Sequence, residues 1–431
     1  MKTYTPFLQL RALRVAALGF FGAVSLHAGE AGSGEFFFRD GDRAMILGDS
    51  ITQQRQYSTL VESFVLSRFP EWKITFRNTG WGGDTMGLRT RKGLDAGFDR
   101  DLKPLAPTAV TIDFGMNDAR AGAKGADDYV ANAKKLSDKF AGIGTRVAFV
   151  TSSAEERYQE GQPAGSAYNT LLRTYSAGLQ QVAAEKNLPF VDQLNPMIAV
   201  IEKGREAGVF AAKEGGGRLV PDAVHPNWDG SFVMAVYILK GLNAPSLVSS
   251  VEIDAKGGEV KAEKAKVTDV KTGDVLSFTR LDVSMPWPVP SEVGNVFKVP
   301  GFTPYDDLSR YMLKVTGLTA ASYRIAVDDK HLGTFNQEQL AAGLNLTGPA
   351  FRALPEMQTL LQAITAKNQL FYNRWREVQL GEIPSWVPSE AVEQGRVKRV
   401  AELDAELVVA DAKLNELRKP KAHRWTLTPV N

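Results

Sequence analysis

Between residues 36 and 241 the chain alternates short apolar runs with longer stretches in which apolar side chains return every three or four positions. The runs at 44–47, 73–76, 109–114, 147–150 and 189–191 have the length of buried strands, and the segments between them, such as 55–69, 129–140 and 168–186, carry the helical period. This alternation predicts an α/β fold: a parallel sheet covered by helices on both faces, with any active site at the carboxyl ends of the strands, where strand order reverses. From 246 to 347 the texture becomes β-like, with runs at 248–253, 275–280, 312–315 and 323–327, and Asp328-Asp329-Lys330 reads as a hairpin turn into 331–335. A Pro-rich connection, Met285-Pro286-Trp287-Pro288-Val289-Pro290, interrupts this region.

Beyond Pro355 two helical stretches are separated by Gly381, Pro384 and Pro388. In the second, Val400, Leu403, Leu407, Ala410, Leu414 and Leu417 form a narrow seam; in the first, Met357, Leu361, Ile364, Phe371, Trp375 and Val378 offer a facing stripe. The simplest arrangement is an antiparallel helical hairpin, which also makes helix-mediated self-association an expectation. The expected organisation is thus an α/β domain over 36–245, a β-rich module over 246–349, and a helical hairpin and tail over 350–431.

The N-terminus changes this picture. Lys2, Arg11 and Arg14 precede an apolar run at 15–26 and small residues at Ala28 and Ala31, the pattern of a secretory signal over about residues 1–28. The expected location is a bacterial periplasm or cell exterior, with no integral membrane segment once the signal is removed. Removal also moves the formal charge from +2 to −1, a balance that does not favour nucleic acid as a partner. The chain has no cysteine, so it has neither disulfides nor thiolate chemistry.

The first strand candidate stops on Gly48-Asp49-Ser50, so Ser50 lies at a strand-to-helix junction where its hydroxyl can be presented among backbone N–H groups. A serine nucleophile needs a base to take its proton. Of the four histidines, His27 falls in the expected signal, His331 in the β module and His423 in a basic tail beside Lys419, Lys421 and Arg424, which leaves His225. Asp222 precedes His225 by three residues and can orient its imidazole. Donors for a developing oxyanion are available in two places: the glycine-rich block Asn78-Thr79-Gly80-Trp81-Gly82-Gly83-Asp84-Thr85 and, through the Asn117 amide, Gly115-Met116-Asn117-Asp118.

Gly-Asp-Ser, the glycine-rich block, Gly-x-Asn-Asp and Asp-x-x-His-Pro, in this order over residues 36–245, resemble the SGNH/GDSL hydrolase superfamily. The resemblance implies a three-layer α/β/α, flavodoxin-like domain and no metal or organic cofactor. It further implies Ser50 as nucleophile, His225 as base and Asp222 as its orienting acid, with the Ser50 N–H, the Gly83 N–H and the Asn117 side chain as oxyanion donors. Ile51 stands where many relatives carry leucine. The expected activity is that of an exported serine esterase on a small-molecule or polysaccharide ester, with a carbohydrate O-acetyl esterase preferred. A lipase or thioesterase for longer acyl chains and a non-catalytic carbohydrate-binding or envelope-scaffold protein are the alternatives.

Each motif has a plainer reading. Ser50 can serve as a helix cap, and Gly80–Gly83 can serve as a dinucleotide-binding turn, although the third glycine of that fingerprint is missing. Asp49, Asp84, Asp113 and Asp118 can ligate metals, although such sites usually recruit more histidine than this domain has. Asp49, Trp81 and Trp228 are the candidate substrate contacts, the two indoles either stacking on a sugar ring or forming site walls. Trp287 reaches the site only if the β module folds over it. Arg89, Arg91 and Lys92 read as a solvated face.

Overall fold

The computed structural model describes residues 34–157, 166–210, 217–383, 386–387 and 389–430. The expected signal at 1–28 lies outside these residues.

Five parallel strands, β1 (Arg43–Gly48), β2 (Thr75–Asn78), β3 (Ala109–Asp113), β4 (Arg146–Val150) and β5 (Phe190–Val191), form one sheet in the order β2-β1-β3-β4-β5. β1 and β3 are almost wholly buried, as strands covered on both faces must be. The flanking helices include α1 (Ser50–Gln53), α2 (Gln56–Arg68), α3 (Ala126–Ala141), α4 (Ser166–Lys186), α5 (Leu194–Glu206) and α6 (Trp228–Gly241). This is the three-layer α/β/α sandwich that the sequence resemblance implies. Strand order reverses between β1 and β3, which opens a crevice at their carboxyl ends. β2 begins two residues later than the expected 73–76 and ends on Asn78, because its pairing with β1 sets Arg43 opposite Thr75.

Two further sheets follow. One, in the order β13-β10-β6-β7, joins β6 (Leu247–Asp254), β7 (Val260–Glu263), β10 (Arg310–Thr316) and β13 (Leu344–Asn345). The other, in the order β12-β11-β14-β9-β8, joins β8 (Ala265–Lys271), β9 (Leu276–Asp282), β11 (Ser322–Val327), β12 (Lys330–Asn336) and β14 (Ala422–Val430). The segment read as a basic tail is therefore a strand inside a sheet. Its alternating burial, with His423, Trp425 and Leu427 inward, is hidden in the sequence by the outward Arg424.

The two long helices are α7 (Pro355–Tyr372), continued by wider π-helical turns over Asn373–Gln379, and α8 (Ser389–Leu417). They run antiparallel: Arg396 donates to the Gly381 carbonyl at 2.8 Å, and Arg374 pairs with Asp404 at 2.7 Å. Leu403, Leu407 and Leu414 of the seam are buried, as are Leu361, Ile364, Phe371 and Trp375 of the facing stripe. Met357 instead joins the core of the β sheets.

The hairpin is fastened to the α/β body rather than standing beside it. Lys367 of α7 is buried against Glu62 of α2 at 2.7 Å and also donates to the Phe76 carbonyl at 3.1 Å, while Asn368 donates to Glu62 and Thr59. Every residue of α2 from Tyr57 to Arg68 is buried, as expected of a helix enclosed by neighbours on all sides. The Pro-rich connection supplies one of those neighbours. Trp287 is buried between Phe64 and Phe232, its Nε1 donating to the Leu60 carbonyl at 3.0 Å, so it fills the core instead of reaching the crevice. No helix among the described residues is long and apolar enough to cross a membrane.

Candidate active site

β1 delivers Gly48 to the crevice and the chain turns at once into α1. The capping role falls to Asp49, whose Oδ1 accepts the Ile51 N–H at 2.9 Å, and Ser50 is left as the first helical residue with its hydroxyl free to face outward. The loop before α6 brings His225 to it: His225 Nε2 lies 2.9 Å from Ser50 Oγ, and Nδ1 lies 2.7 Å from Asp222 Oδ2. Asp222 Oδ1 also accepts the backbone N–H groups of Val224 at 3.0 Å and His225 at 2.7 Å. That tight turn holds Ala223 at φ +73°, a left-handed conformation that alanine adopts at a cost of about 1–2 kcal/mol. Burial alone would raise the Asp222 pKa, but the hydrogen bonds from His225 and Val224 outweigh it and hold the carboxylate below its usual range. The site is open, with the His225 side chain 31% exposed and that of Asp222 59%.

The glycine-rich block lies against α1. A Cβ on Gly80 would sit 2.2 Å from the Gln53 nitrogen, so the backbone can approach α1 this closely only without a side chain there, while one on Gly82 would make ordinary contact with the Ser50 Cβ at 4.0 Å. Gly83 has φ +74°. The loop is pinned on several sides: Gln53 Oε1 accepts the Gly82 N–H at 2.5 Å, Arg89 donates to the Gly83 carbonyl at 2.7 Å, and Asn117 Nδ2 donates to the Asp84 carbonyl at 2.9 Å. Among the described residues neither the Ser50 N–H nor the Gly83 N–H has a protein acceptor. The second Asn117 hydrogen is directed at Asp49 Oδ2 over a long 3.3 Å.

The carboxylates around the site are not equivalent. Burial pushes Asp49 up to about 7, the Ile51 N–H partly opposing it and the neighbouring Asp118 and Asp84 adding to it. Burial likewise raises Asp118 to about 7 and lifts Asp113 well above the usual range. Asp84 is paired with Arg91 at 2.6 Å, both fully buried, and the same guanidinium donates to the Thr79 carbonyl at 2.6 Å. Arg91 is therefore an internal brace of the glycine-rich loop and not a solvated charge; Arg89 and Lys92 are the exposed members of the trio. Among the described residues no three acidic or histidine side chains converge as a metal-binding group.

The two indoles differ. Trp81 packs edge-on against Trp375 at 6.0 Å, with the Arg376 guanidinium 3.9 Å from its ring centroid. Trp228, the first residue of α6, lines an open groove beside the His225 loop. Sequence reasoning missed Gln53, which follows Ser50 by three residues and holds the Gly82 amide. Only the amide side chain at the end of so short a helix signalled it.

Residues 46–231 match the family model described as GDSL-like lipase/acylhydrolase. No curated protein matches the sequence. Among solved structures, the chain is similar to a gut microbial diltiazem-metabolizing enzyme at 23% identity, with a TM-score of 0.74, covering 91% of this chain and 98% of that one. This likeness in fold spans the β sheets and long helices as well as the α/β body. An acetylxylan esterase from Geobacillus stearothermophilus is similar at 22% identity over 48% of this chain and 96% of its own, with a TM-score of 0.38.

Proposed function

Since residues 46–231 are a GDSL-like lipase/acylhydrolase domain and the protein is an ester-bond hydrolase, we propose that it cleaves short-acyl carboxylic esters through an acyl-Ser50 intermediate, with carbohydrate O-acetyl esters as its substrate class. The observation that carries the reading is the chain Ser50–His225–Asp222, continuous at 2.9 and 2.7 Å.

Ser50 Oγ attacks the ester carbonyl carbon as its proton passes to His225 Nε2. Asp222, held ionised by its hydrogen bonds, accepts from Nδ1 and stabilises the imidazolium. The carbonyl oxygen, now negative, is met by the Ser50 and Gly83 N–H groups and by Asn117 Nδ2, which exchanges its long contact to Asp49 for the oxyanion. An Asp49 carboxyl with a pKa near 7 holds that amide hydrogen less firmly than a fully ionised carboxylate would. Collapse expels the alcohol, which takes the proton from Nε2. Water then repeats the sequence on the acyl-serine, releasing the acid and restoring the Ser50 hydroxyl.

Two features support a short acyl group. The glycine-rich loop lies close to Ser50, and the exposed His225 and Asp222 leave the site open, where a long chain would keep its methylenes in water and forfeit about 0.8 kcal/mol each. A cavity of about 490 Å³, lined by Phe36, Val147 and Leu188 and by the charged Arg39, Asp138 and Lys186, lies at the amino ends of β4 and β5, the opposite end of the sheet from Ser50. The signal-like N-terminus supports export, and so a substrate met outside the cytoplasm.

The test is hydrolysis of p-nitrophenyl esters from acetate to decanoate and of acetylated oligosaccharides by wild type, Ser50→Ala and His225→Ala. Activity confined to wild type and falling with acyl length is expected. Equal rates in all three proteins would overturn the mechanism, and rates that rise with acyl length would overturn the short-acyl assignment.

A further inference from the structure

A groove of about 640 Å³ runs between the start of α6, the Pro-rich connection and α7. Trp228 forms its wall on the catalytic side, three residues after His225. Along the opposite wall α7 presents Gln358, Gln362, Thr365 and Gln369, all exposed, at the 4-3-4 spacing of a single helix face. At 1.5 Å per residue they cover about 16 Å. Gln369 at the near end accepts from Arg55 at 2.9 Å, and Arg55 in turn donates to the Gln53 carbonyl at 2.9 Å, so the groove is continuous with the turn that carries Ser50. The Gln362 side chain, at mid-groove, has no hydrogen-bond partner among the described residues, whereas Gln358 donates to the Phe351 carbonyl at 3.2 Å and Gln369 donates to Asn373 at 2.8 Å.

The lining specifies a chemistry. It contains no lysine or arginine, and Glu292 is its only charged side chain, so nothing there would hold a carboxylate or phosphate. Pro290, Phe351, Leu361 and Ala366 add apolar surface between the polar groups, but the row of Gln358, Gln362 and Gln369 suits an acyl chain poorly, because an amide covered by methylenes loses water without gaining a partner. Amides, which both donate and accept, match hydroxyl groups that do the same, and an indole face covers the apolar C–H face of a sugar ring.

We propose that this groove binds an uncharged oligosaccharide, the alcohol half of the ester, and draws it past Ser50. The assignment rests on the acyl-Ser50 reading above, in which the acyl half is too short to fill a groove of this length. Apart from Trp228, the groove is built on α7 and the Pro-rich connection, outside residues 46–231, so specificity for the alcohol is shared between the added segments and one residue of the α/β body, which carries the chemistry.

The test uses the full-length protein and titrates wild type, Gln362→Leu and Trp228→Ala with xylotetraose, mannotetraose and tetragalacturonate, followed by calorimetry. At least one neutral tetrasaccharide is expected to bind wild type, at least fivefold more tightly than tetragalacturonate, and each substitution is expected to weaken that binding at least fivefold. Gln362 is exposed, so its replacement leaves folding intact and keeps the comparison valid. Failure of both neutral sugars to bind, tighter binding of the anionic one, or binding untouched by either substitution would overturn the groove assignment. Ser50-dependent hydrolysis of p-nitrophenyl acetate is read separately: if Ser50→Ala retains wild-type activity, the catalytic reading fails, and if only wild type is active but no tetrasaccharide binds, the groove proposal alone fails.

Discussion

The Lys367 ammonium lies 2.7 Å from the Glu62 carboxylate, and both side chains are buried, although the two residues are 305 positions apart in the chain. Burial pushes Glu62 up and Lys367 down, and each counters the shift in the other. The pair fastens α7 to α2, the helix that follows the turn carrying Ser50. Lys367→Ala leaves a carboxylate without its cation and should destabilise the protein by about 3–5 kcal/mol in urea unfolding. The double change Glu62→Leu with Lys367→Met should cost less than the single one. Equal costs would show that the pair is not coupled.

The Gln53–Gly82 bond carries a kinetic expectation. Gln53→Ala frees the Gly82 peptide and with it the neighbouring Gly83 N–H, so kcat on p-nitrophenyl acetate should fall about tenfold, below the roughly 10²–10³ lost when an oxyanion donor itself is removed. KM should change little. A loss confined to KM would assign Gln53 to substrate contact instead.

Asp222→Asn retains the shape of the turn but exchanges a charged acceptor for a neutral amide. In a buried triad this change costs about 10⁴ in kcat. Here the carboxylate is largely exposed, and water can replace part of its role, so a loss nearer 10² is expected, on the order of that seen when general acid–base help is weakened. Unchanged kcat would remove Asp222 from the mechanism.

His423 makes stability depend on pH. Its ring nitrogens meet Asp328 at 2.6 Å and Glu356 at 2.7 Å. Burial would lower its pKa, yet the two carboxylates outweigh burial and raise it. Both carboxylates are held below their usual range despite burial, chiefly by bonding to this imidazole, and so remain ionised in mild acid. A histidine with a raised folded pKa contributes its full stabilisation below an unfolded value of about 6.5, and loses it as pH climbs through the folded value. Wild type should exceed His423→Gln in melting temperature at pH 5.5 and approach it at pH 9; a gap independent of pH would contradict this.

The parts of the molecule legible in the sequence are those with local signatures. Ser50 stands two positions beyond the five-residue buried stretch of β1, Asp222 and His225 share one turn, and four of the sheet's strands fall on the expected runs. What was not legible depends on how the chain folds back on itself. Asp84 stands only seven positions before Arg91, yet the sequence does not announce that it and the Thr79 carbonyl take the guanidinium inside, and nothing near His423 announces Glu356. A charge in a sequence looks solvated until its counter-charge is located, and for His423 the counter-charge belongs to another element. Lys367 is the extreme case, since the helical period of α7 marks it only as a break in the apolar stripe.

The position of β14 has a consequence for how the molecule assembles. It lies between β9 and β11, pairing Trp425 with Phe278 on one side and with Val327 on the other. Asp328 and His423, which meet where β14 enters, are separated by 95 residues that contain both long helices. Closing a loop of that size costs roughly 4 kcal/mol in chain entropy. Until it closes, the β8–β9 and β11–β12 hairpins each present an unpaired edge, the template on which chains pair with one another. Completion of the sheet therefore waits on that closure, and the open hairpin edges are the sites at which an unfinished chain can pair with another.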